Sequence, residues 1–168
     1  MKKLPLLLAL VLFCVTAAAP AAGAAPAAPA ARRPVKVACV GNSITYGYGI
    51  AGRETRSYPA QLQRMLGDGY LVGNFGKSGA TLLRRGHRPY NEQPECAEAL
   101  AFAADIVVIH LGINDTDPRD WPHYGDEFIA DYRALIDAFR EANPSCRVLV
   151  ARLSPISHRH LRFESGTR

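Results

Sequence analysis

The feature that most constrains the fold is the segment Asp105–Leu111, which reads DIVVIHL. A continuous apolar run of this length is typical of a strand that is buried on both faces. Strands of this kind occur in parallel sheets that carry helices on both sides. The segment therefore predicts an α/β domain built around a parallel sheet.

Further strands and helices alternate along the chain on either side of this segment. Short β-branched runs predict strands, whereas apolar residues at helical spacing, such as Phe128, Tyr132 and Phe139, predict helices. This alternation implies parallel pairing through right-handed crossovers. The predicted strands are 35–40, 70–75, 105–111 and 146–153, and the predicted helices are 57–66, 94–103 and 128–143.

The N-terminal region has the pattern of an export signal followed by a linker. Two lysines precede the apolar run Leu4–Val15, and small residues follow it, as in a secretory signal peptide. We assign residues 1–25 to this signal, 26–34 to an Ala/Pro-rich linker and 35–168 to one domain. The protein is expected to be periplasmic or secreted, with no membrane span after cleavage. Lipid attachment at Cys14 is the minor alternative, because a bulky residue precedes it.

The charge of the chain is concentrated in this N-terminal region. The net charge is +5, but four of the 20 Lys and Arg residues precede Val35 and no acidic residue does. The remainder holds 16 basic and 15 acidic residues, a net charge of +1. Since a near-neutral domain does not offer a basic surface to a phosphate backbone, no nucleic-acid partner is expected.

The cysteines and histidines do not form a metal-binding pattern. Cys39 lies within the first predicted strand and is expected to be a buried apolar residue. Cys96 and Cys146 are candidates for a disulfide in an oxidising compartment, and the pattern leaves their pairing open. His158 and His160 lack a third ligand at suitable spacing. We therefore expect neither a metal nor another cofactor.

Polar groups suited to acyl transfer follow three consecutive strands. Ser43 lies after the first strand, Gly79 after the second and Asn114 after the third. The carboxyl ends of parallel strands share one edge of the sheet, and ligands bind at that edge. A serine hydroxyl can act as a nucleophile, whereas a backbone N–H and a neutral amide can stabilise an oxyanion. Each residue is unspecific alone, and their order after consecutive strands supports the prediction.

The blocks GNSIT, NFGKSGAT and LGIND resemble those of the Ser-Gly-Asn-His hydrolases, also called GDSL esterases. Asn42 stands where the family name has Asp. The resemblance implies a three-layer α/β/α, flavodoxin-like fold in which Ser43 is the nucleophile. It also implies an oxyanion hole formed by the backbone N–H groups of Ser43 and Gly79 and by the Asn114 side chain.

A narrower resemblance suggests the substrate. RETRSYPAQLQRML, GHRPY and HLGINDTDPRDWP are similar to segments of exported bacterial carbohydrate esterases of the sialate O-acetylesterase type. This similarity implies a serine esterase that removes O-acetyl groups from carbohydrate. His87 and Asp115 are the candidate substrate-binding residues.

The general base implied by the family is not found in the chain. Its block is Asp-x-x-His after a fifth strand, and the one literal match is Asp120 with His123. In the family the pair lies one strand–helix–strand unit later in the chain, and this match also contains a proline. We therefore interpret it as a loop. His110, at the end of the third strand, is expected to be a core or rim residue. The last strand and helix, with the catalytic Asp and His, are expected to be missing from these 168 residues.

Two other functions remain open at this stage. Residues Gly47–Gly52, GYGIAG, match a dinucleotide fingerprint, and Asp68 follows about twenty residues later. However, the first glycine does not follow the strand directly, as that fingerprint requires. The missing base also leaves open a non-catalytic carbohydrate-binding or degenerate module.

Overall fold

The computed structural model of the protein describes residues 32–154. The predicted signal peptide, most of the predicted linker, and His158 and His160 lie outside the described residues. The same holds for the position expected for a fifth strand and a last helix.

The described residues form one parallel sheet of β1 (Val35–Gly41), β2 (Tyr70–Gly76), β3 (Ile106–His110) and β4 (Arg147–Val150). The strand order is β2-β1-β3-β4, so β1 lies between the two strands that follow it in the sequence. Gly41 at the end of β1 is in register with Gly76 of β2 and His110 of β3. The predicted parallel α/β architecture is therefore confirmed.

The α-helices of the described region include three long and three short ones. The long helices agree with the predicted ones to within about two residues, whereas the short ones have too few residues to show a periodic pattern. No helix between residues 32 and 154 is long and apolar enough to cross a membrane. The helices are α1 (Ser43–Tyr46), α2 (Arg53–Arg56), α3 (Tyr58–Leu66), α4 (Pro94–Phe102), α5 (Trp121–Tyr124) and α6 (Phe128–Ala142).

The core lies between the sheet and the helices α4 and α6. Val40 and Ile109 from the central strands pack there with Ala99 of α4 and Phe139 of α6. Because side chains alternate along a strand, Cys39 points to the opposite face, where it lies against Tyr58 of α3. Helices thus cover both faces of β1.

The three cysteines of the described residues are free thiols. Cys39 is fully buried, as predicted. Burial raises the pKa of the Cys39 thiol to about 11, so it stays protonated at neutral pH. Cys96 is buried against the core, whereas the Cys146 sulfur lies 3.5 Å from the carbonyl of Phe139.

Gly76 lets α1 pack directly on the end of β2. A Cβ atom at this position would overlap the backbone nitrogen of Tyr46. We expect Gly76→Ala to lower the free energy of unfolding by about 1–3 kcal/mol, because backbone atoms must move to relieve the overlap. Urea unfolding tests this, with Gly69→Ala as the control, since a Cβ there meets nothing within 4 Å. Equal effects of the two substitutions would contradict the close packing.

Asp105 directly precedes β3 and connects it to the first described residues of the domain. The stability of the domain should therefore depend on pH in the acidic range. The carboxylate accepts two bonds from the Arg33 guanidinium and one from Lys36 N, each 2.8 Å long. These contacts lower the pKa of Asp105 to about 2. The stabilisation is therefore complete above the unfolded-state pKa of about 4 and is lost as the pH falls towards about 2.

We expect Asp105→Asn to be less stable than the wild type at pH 7 and the difference to shrink between about pH 4 and pH 2. Urea midpoints across this range measure it. Asp68→Asn is the control, because Asp68 lies in an exposed turn. A pH-independent difference would contradict the role of the Asp105 charge.

Candidate active site

Ser43 is held at the carboxyl end of β1 by the cap of the short helix α1. The Asn42 side chain accepts a hydrogen bond from the backbone N–H of Ile44 at 3.0 Å and is fully buried. Ser43 is the first residue of α1 and is only half-buried. Since the first N–H groups of a helix have no partner within it, the Ser43 amide can serve as a donor beside its own hydroxyl.

The turn after β1 is close-packed. A Cβ atom at Gly41 would lie 2.8 Å from the carbonyl oxygen of His110 and would overlap the side chain of Thr45. Thr45 is fully buried and lies 3.3 Å from the hydroxyl of Tyr58. The glycine therefore allows α1 to turn back onto the strand ends and sets the position of Ser43.

A second turn places Gly79 on the same edge of the sheet. The backbone N–H of Lys77 donates to the carbonyl of Gly41 at 2.8 Å, which joins this turn to the Ser43 turn. Gly79 has a φ of 79°, in the left-handed region that glycine adopts without strain. The missing Cβ atom leaves room for the Arg88 guanidinium, which would lie 3.3 Å from a Cβ at this position.

Asn114 reaches this second turn from the end of β3. It begins a short 3-10 helix, Asn114–Thr116, and its Nδ2 donates to the carbonyl of Ala80 at 2.8 Å. The amide carries a second N–H that this bond does not use. The Asn114 bond thus joins the end of β3 to the turn that contains Gly79, and the Gly41–Lys77 bond joins that turn to the one that contains Ser43.

Asp115 clamps the loop that follows Gly79. Its carboxylate accepts the backbone N–H groups of Leu82 at 3.0 Å and Leu83 at 2.6 Å, and it is fully buried. Burial raises the pKa of Asp115, although the two bonds oppose the shift. The sequence suggested a substrate contact, but the carboxylate is fully buried and both of its oxygens accept bonds from the loop backbone.

We expect Asp115→Ala to destabilise the protein by about 3 kcal/mol or more, because each buried amide left without an acceptor costs about 1–3 kcal/mol. Urea unfolding measures this effect. The matched control is Asp131→Ala, which removes one exposed bond to the backbone N–H of Arg84. A loss as small as that of the control would show that Asp115 is not the clamp.

The histidines of the described region have different surroundings. His110 is 8% exposed at the end of β3, and burial lowers its pKa, which agrees with the core or rim position predicted for it. The ring of His123 lies beside Tyr124, with centroids 5.9 Å apart. Asp120 directs its carboxylate to a third histidine, His87, so the Asp120–His123 motif is not a pair here.

His87 and Asp120 form a contact that sequence reasoning missed. The ring Nδ1 of His87 lies 2.6 Å from Oδ2 of Asp120, and the backbone N–H of His87 donates to Oδ1 at 2.9 Å. The two residues are 33 positions apart, so no local spacing signals the pair. The GHRPY segment indicated His87 as a candidate substrate-binding residue. Its pairing with Asp120 depends on the fold and could not be predicted from that segment.

The segment Gly47–Gly52 does not have the geometry of a dinucleotide-binding turn. Gly47, Gly49 and Gly52 have positive φ angles and lie in the turns between α1 and α2. A dinucleotide fingerprint needs its third glycine at the start of a long crossover helix, whereas α2 has four residues.

Between residues 32 and 154, no group of three or more His, Cys, Asp or Glu side chains is placed to hold a metal ion.

Comparisons with known proteins bear on the family and the fold of the chain. The GDSL-like lipase/acylhydrolase family matches residues 39–166. An acetylxylan esterase from Xylanibacter ruminicola is 52% identical over 106 residues, which cover 63% of this chain. The chain spans 22% of that relative's length.

Solved structures support the same fold. A family two carbohydrate esterase from Clostridium thermocellum, solved in complex with cellohexaose, has a TM-score of 0.53 at 23% identity, covering 72% of this chain and 44% of that one. AlinE4, an SGNH-hydrolase family esterase, has a TM-score of 0.52 at 19% identity, covering 81% and 70%. With three family blocks at adjoining strand ends and a family match over most of its length, the chain belongs to the GDSL-like lipase/acylhydrolase family.

Proposed function

We propose that this protein is an exported serine esterase that removes acetyl groups from carbohydrate. The single observation that carries the proposal is that the turns holding Ser43, Gly79 and Asn114 are hydrogen-bonded to one another at the ends of three adjacent strands. The 52% identity to an acetylxylan esterase supports acetylated carbohydrate as the substrate. The N-terminal sequence pattern supports export to the periplasm or medium.

In this proposal Ser43 forms a covalent intermediate. Its Oγ attacks the acetyl carbonyl carbon while its proton passes to a general base. The N–H groups of Ser43 and Gly79 and the Asn114 amide stabilise the tetrahedral oxyanion. The sugar hydroxyl leaves with the proton from the base, and water then hydrolyses the acetyl-serine to release acetate.

The general base is proposed to be a histidine that an aspartate orients, in the Asp-x-x-His block that the family resemblance implies. In support, the family resemblance implies an Asp-x-x-His block after a fifth strand, and Asp120 with His123 does not take its place. The DNA beyond codon 168 tests this. A stop there would contradict it and favour a binding or degenerate module.

Acetate release from acetylated xylan and acetylated monosaccharides by the full-length protein tests the activity. The same sugars esterified with longer acyl chains are the matched control for acetyl preference. Release of acetate supports the proposal, whereas release from none of the esters would contradict it. N-terminal sequencing of the protein recovered from periplasm and medium tests export, and an intact N-terminus would contradict signal cleavage.

A further inference from the structure

His87 and Asp120 pair a partly exposed imidazole ring with a carboxylate that is almost completely buried. The Asp120 side chain is 2% exposed, whereas the His87 side chain is 27% exposed. Both carboxylate oxygens are used, one by the ring and one by the backbone of the same histidine. Asp120 therefore fixes both the position of this loop and the orientation of the imidazole.

Two connections place this pair beside the proposed oxyanion hole. Arg88, the next residue after His87, donates to the carbonyl of Ser78 at 2.9 Å. A Cβ atom at Gly79 would lie 3.3 Å from the same guanidinium. On the other side, Asp120 belongs to the loop that follows Asn114. The His87 loop thus contacts the Gly79 turn through Arg88, and Asp120 joins it to the loop that follows Asn114.

The contact with Asp120 determines which ring atom can meet a ligand. A nitrogen 2.6 Å from a carboxylate carries the proton, so Nδ1 is a donor in both the neutral and the charged ring. This leaves Nε2 as an acceptor in the neutral ring and a donor in the charged ring. A hydroxyl group can donate or accept, so it suits Nε2 in either state.

We propose that His87 Nε2 binds a hydroxyl group of the sugar that carries the ester, and that Asp120 is the residue that positions His87. This inference rests on the proposed carbohydrate esterase function and adds a sugar contact outside the reacting atoms. Nitrophenyl acetate, an acetyl ester without a sugar, has no hydroxyl for this contact. The pair therefore contributes to the recognition of the carbohydrate and not to the attack of Ser43.

The test compares two substrates with the full-length protein. One is an acetylated xylooligosaccharide, and the other is nitrophenyl acetate, which has the same acyl group but no sugar. We expect His87→Ala and Asp120→Asn each to raise KM for the sugar ester about tenfold, as loss of one good hydrogen bond does. Hydrolysis of nitrophenyl acetate is expected to stay within about twofold. The double variant should be no worse than His87→Ala, since Asp120 acts through His87.

Asp117→Asn is the matched control, because Asp117 lies in the same loop but pairs with Arg119. It should leave both substrates unchanged. A parallel loss on nitrophenyl acetate and the sugar ester in His87→Ala or Asp120→Asn would overturn the proposal, because the pair would then serve the chemistry or the fold. Unchanged KM values in both variants would also overturn it.

Two further measurements separate this proposal from the proposed function. Unacetylated xylooligosaccharide should inhibit nitrophenyl acetate hydrolysis, and Asp120→Asn should weaken that inhibition about tenfold even if no sugar ester is cleaved. Absence of inhibition in the wild type would overturn the sugar contact. Nitrogen NMR of the His87 ring should show the proton on Nδ1 of the neutral wild-type imidazole. A proton on Nε2 would overturn the positioning role of Asp120.

Discussion

Ser43→Ala in the full-length protein is expected to lower kcat for acetate release by on the order of 10⁴-fold or more, because the covalent step loses its nucleophile. The oxyanion donors and the sugar contacts remain, so KM should change little. The melting temperature should also change little, since Ser43 is half-buried at the start of α1 and the cap is provided by Asn42. Initial rates of acetate release and thermal unfolding measure the two effects.

The control for this substitution is Ser145→Ala. Ser145 is an exposed serine that precedes β4, at the opposite edge of the sheet from Ser43. We expect full activity in this variant. Equal rates for the wild type and Ser43→Ala would show that the ester is cleaved without this serine and would end the proposed mechanism.

Asn114→Ala is expected to lower kcat by about 10²–10³-fold, because an oxyanion-hole donor contributes about 2.7–4 kcal/mol to stabilising the transition state. The ground-state carbonyl carries little charge, so the effect on KM should be small. The loss of the bond to the Ala80 carbonyl should also lower stability by about 1 kcal/mol. Steady-state kinetics and urea unfolding separate these two contributions.

Asn143→Ala is a matched control for that stability change. Asn143 Nδ2 donates to the carbonyl of Ala104 at 2.9 Å, close to the 2.8 Å bond of Asn114, but at the amino end of β3. Asn143 Oδ1 also accepts the backbone N–H of Ser145 at 3.1 Å, so Asn143→Ala should lose at least as much stability as Asn114→Ala. Only Asn114→Ala should lose activity. Similar activity in the two variants would contradict the assignment of Asn114 to the oxyanion hole.

Most of the fold could be predicted because its signals are local. The buried run at Ile106–His110 and the amphipathic helix Phe128–Ala142 appear as patterns within single segments. The short helices α1, α2 and α5 show no such pattern, because four residues are too few to reveal the helical repeat of 3.6 residues per turn. Their conformations depend on caps and on packing against the strand ends.

The candidate site was only partly accessible to sequence reasoning. Ser43, Gly79 and Asn114 could be placed together because parallel strands share one carboxyl edge, wherever each strand lies in the sheet. In the sequence analysis Asp115 was assigned a contact with substrate. In the structure its buried carboxylate instead accepts hydrogen bonds from two backbone amides. A sequence pattern does not distinguish a carboxylate facing a ligand from one facing an amide, because both follow a strand.

The sequence by itself therefore determined the parallel α/β architecture, the family blocks and the edge at which chemistry is expected. Only the tertiary structure decided the strand order with β1 between β2 and β3, the clamp by Asp115 and the pairing of His87 with Asp120. The physical reason is separation along the chain. Periodicity reports which face of its own element a residue occupies, whereas a contact between residues 33 positions apart depends on how the intervening loops close.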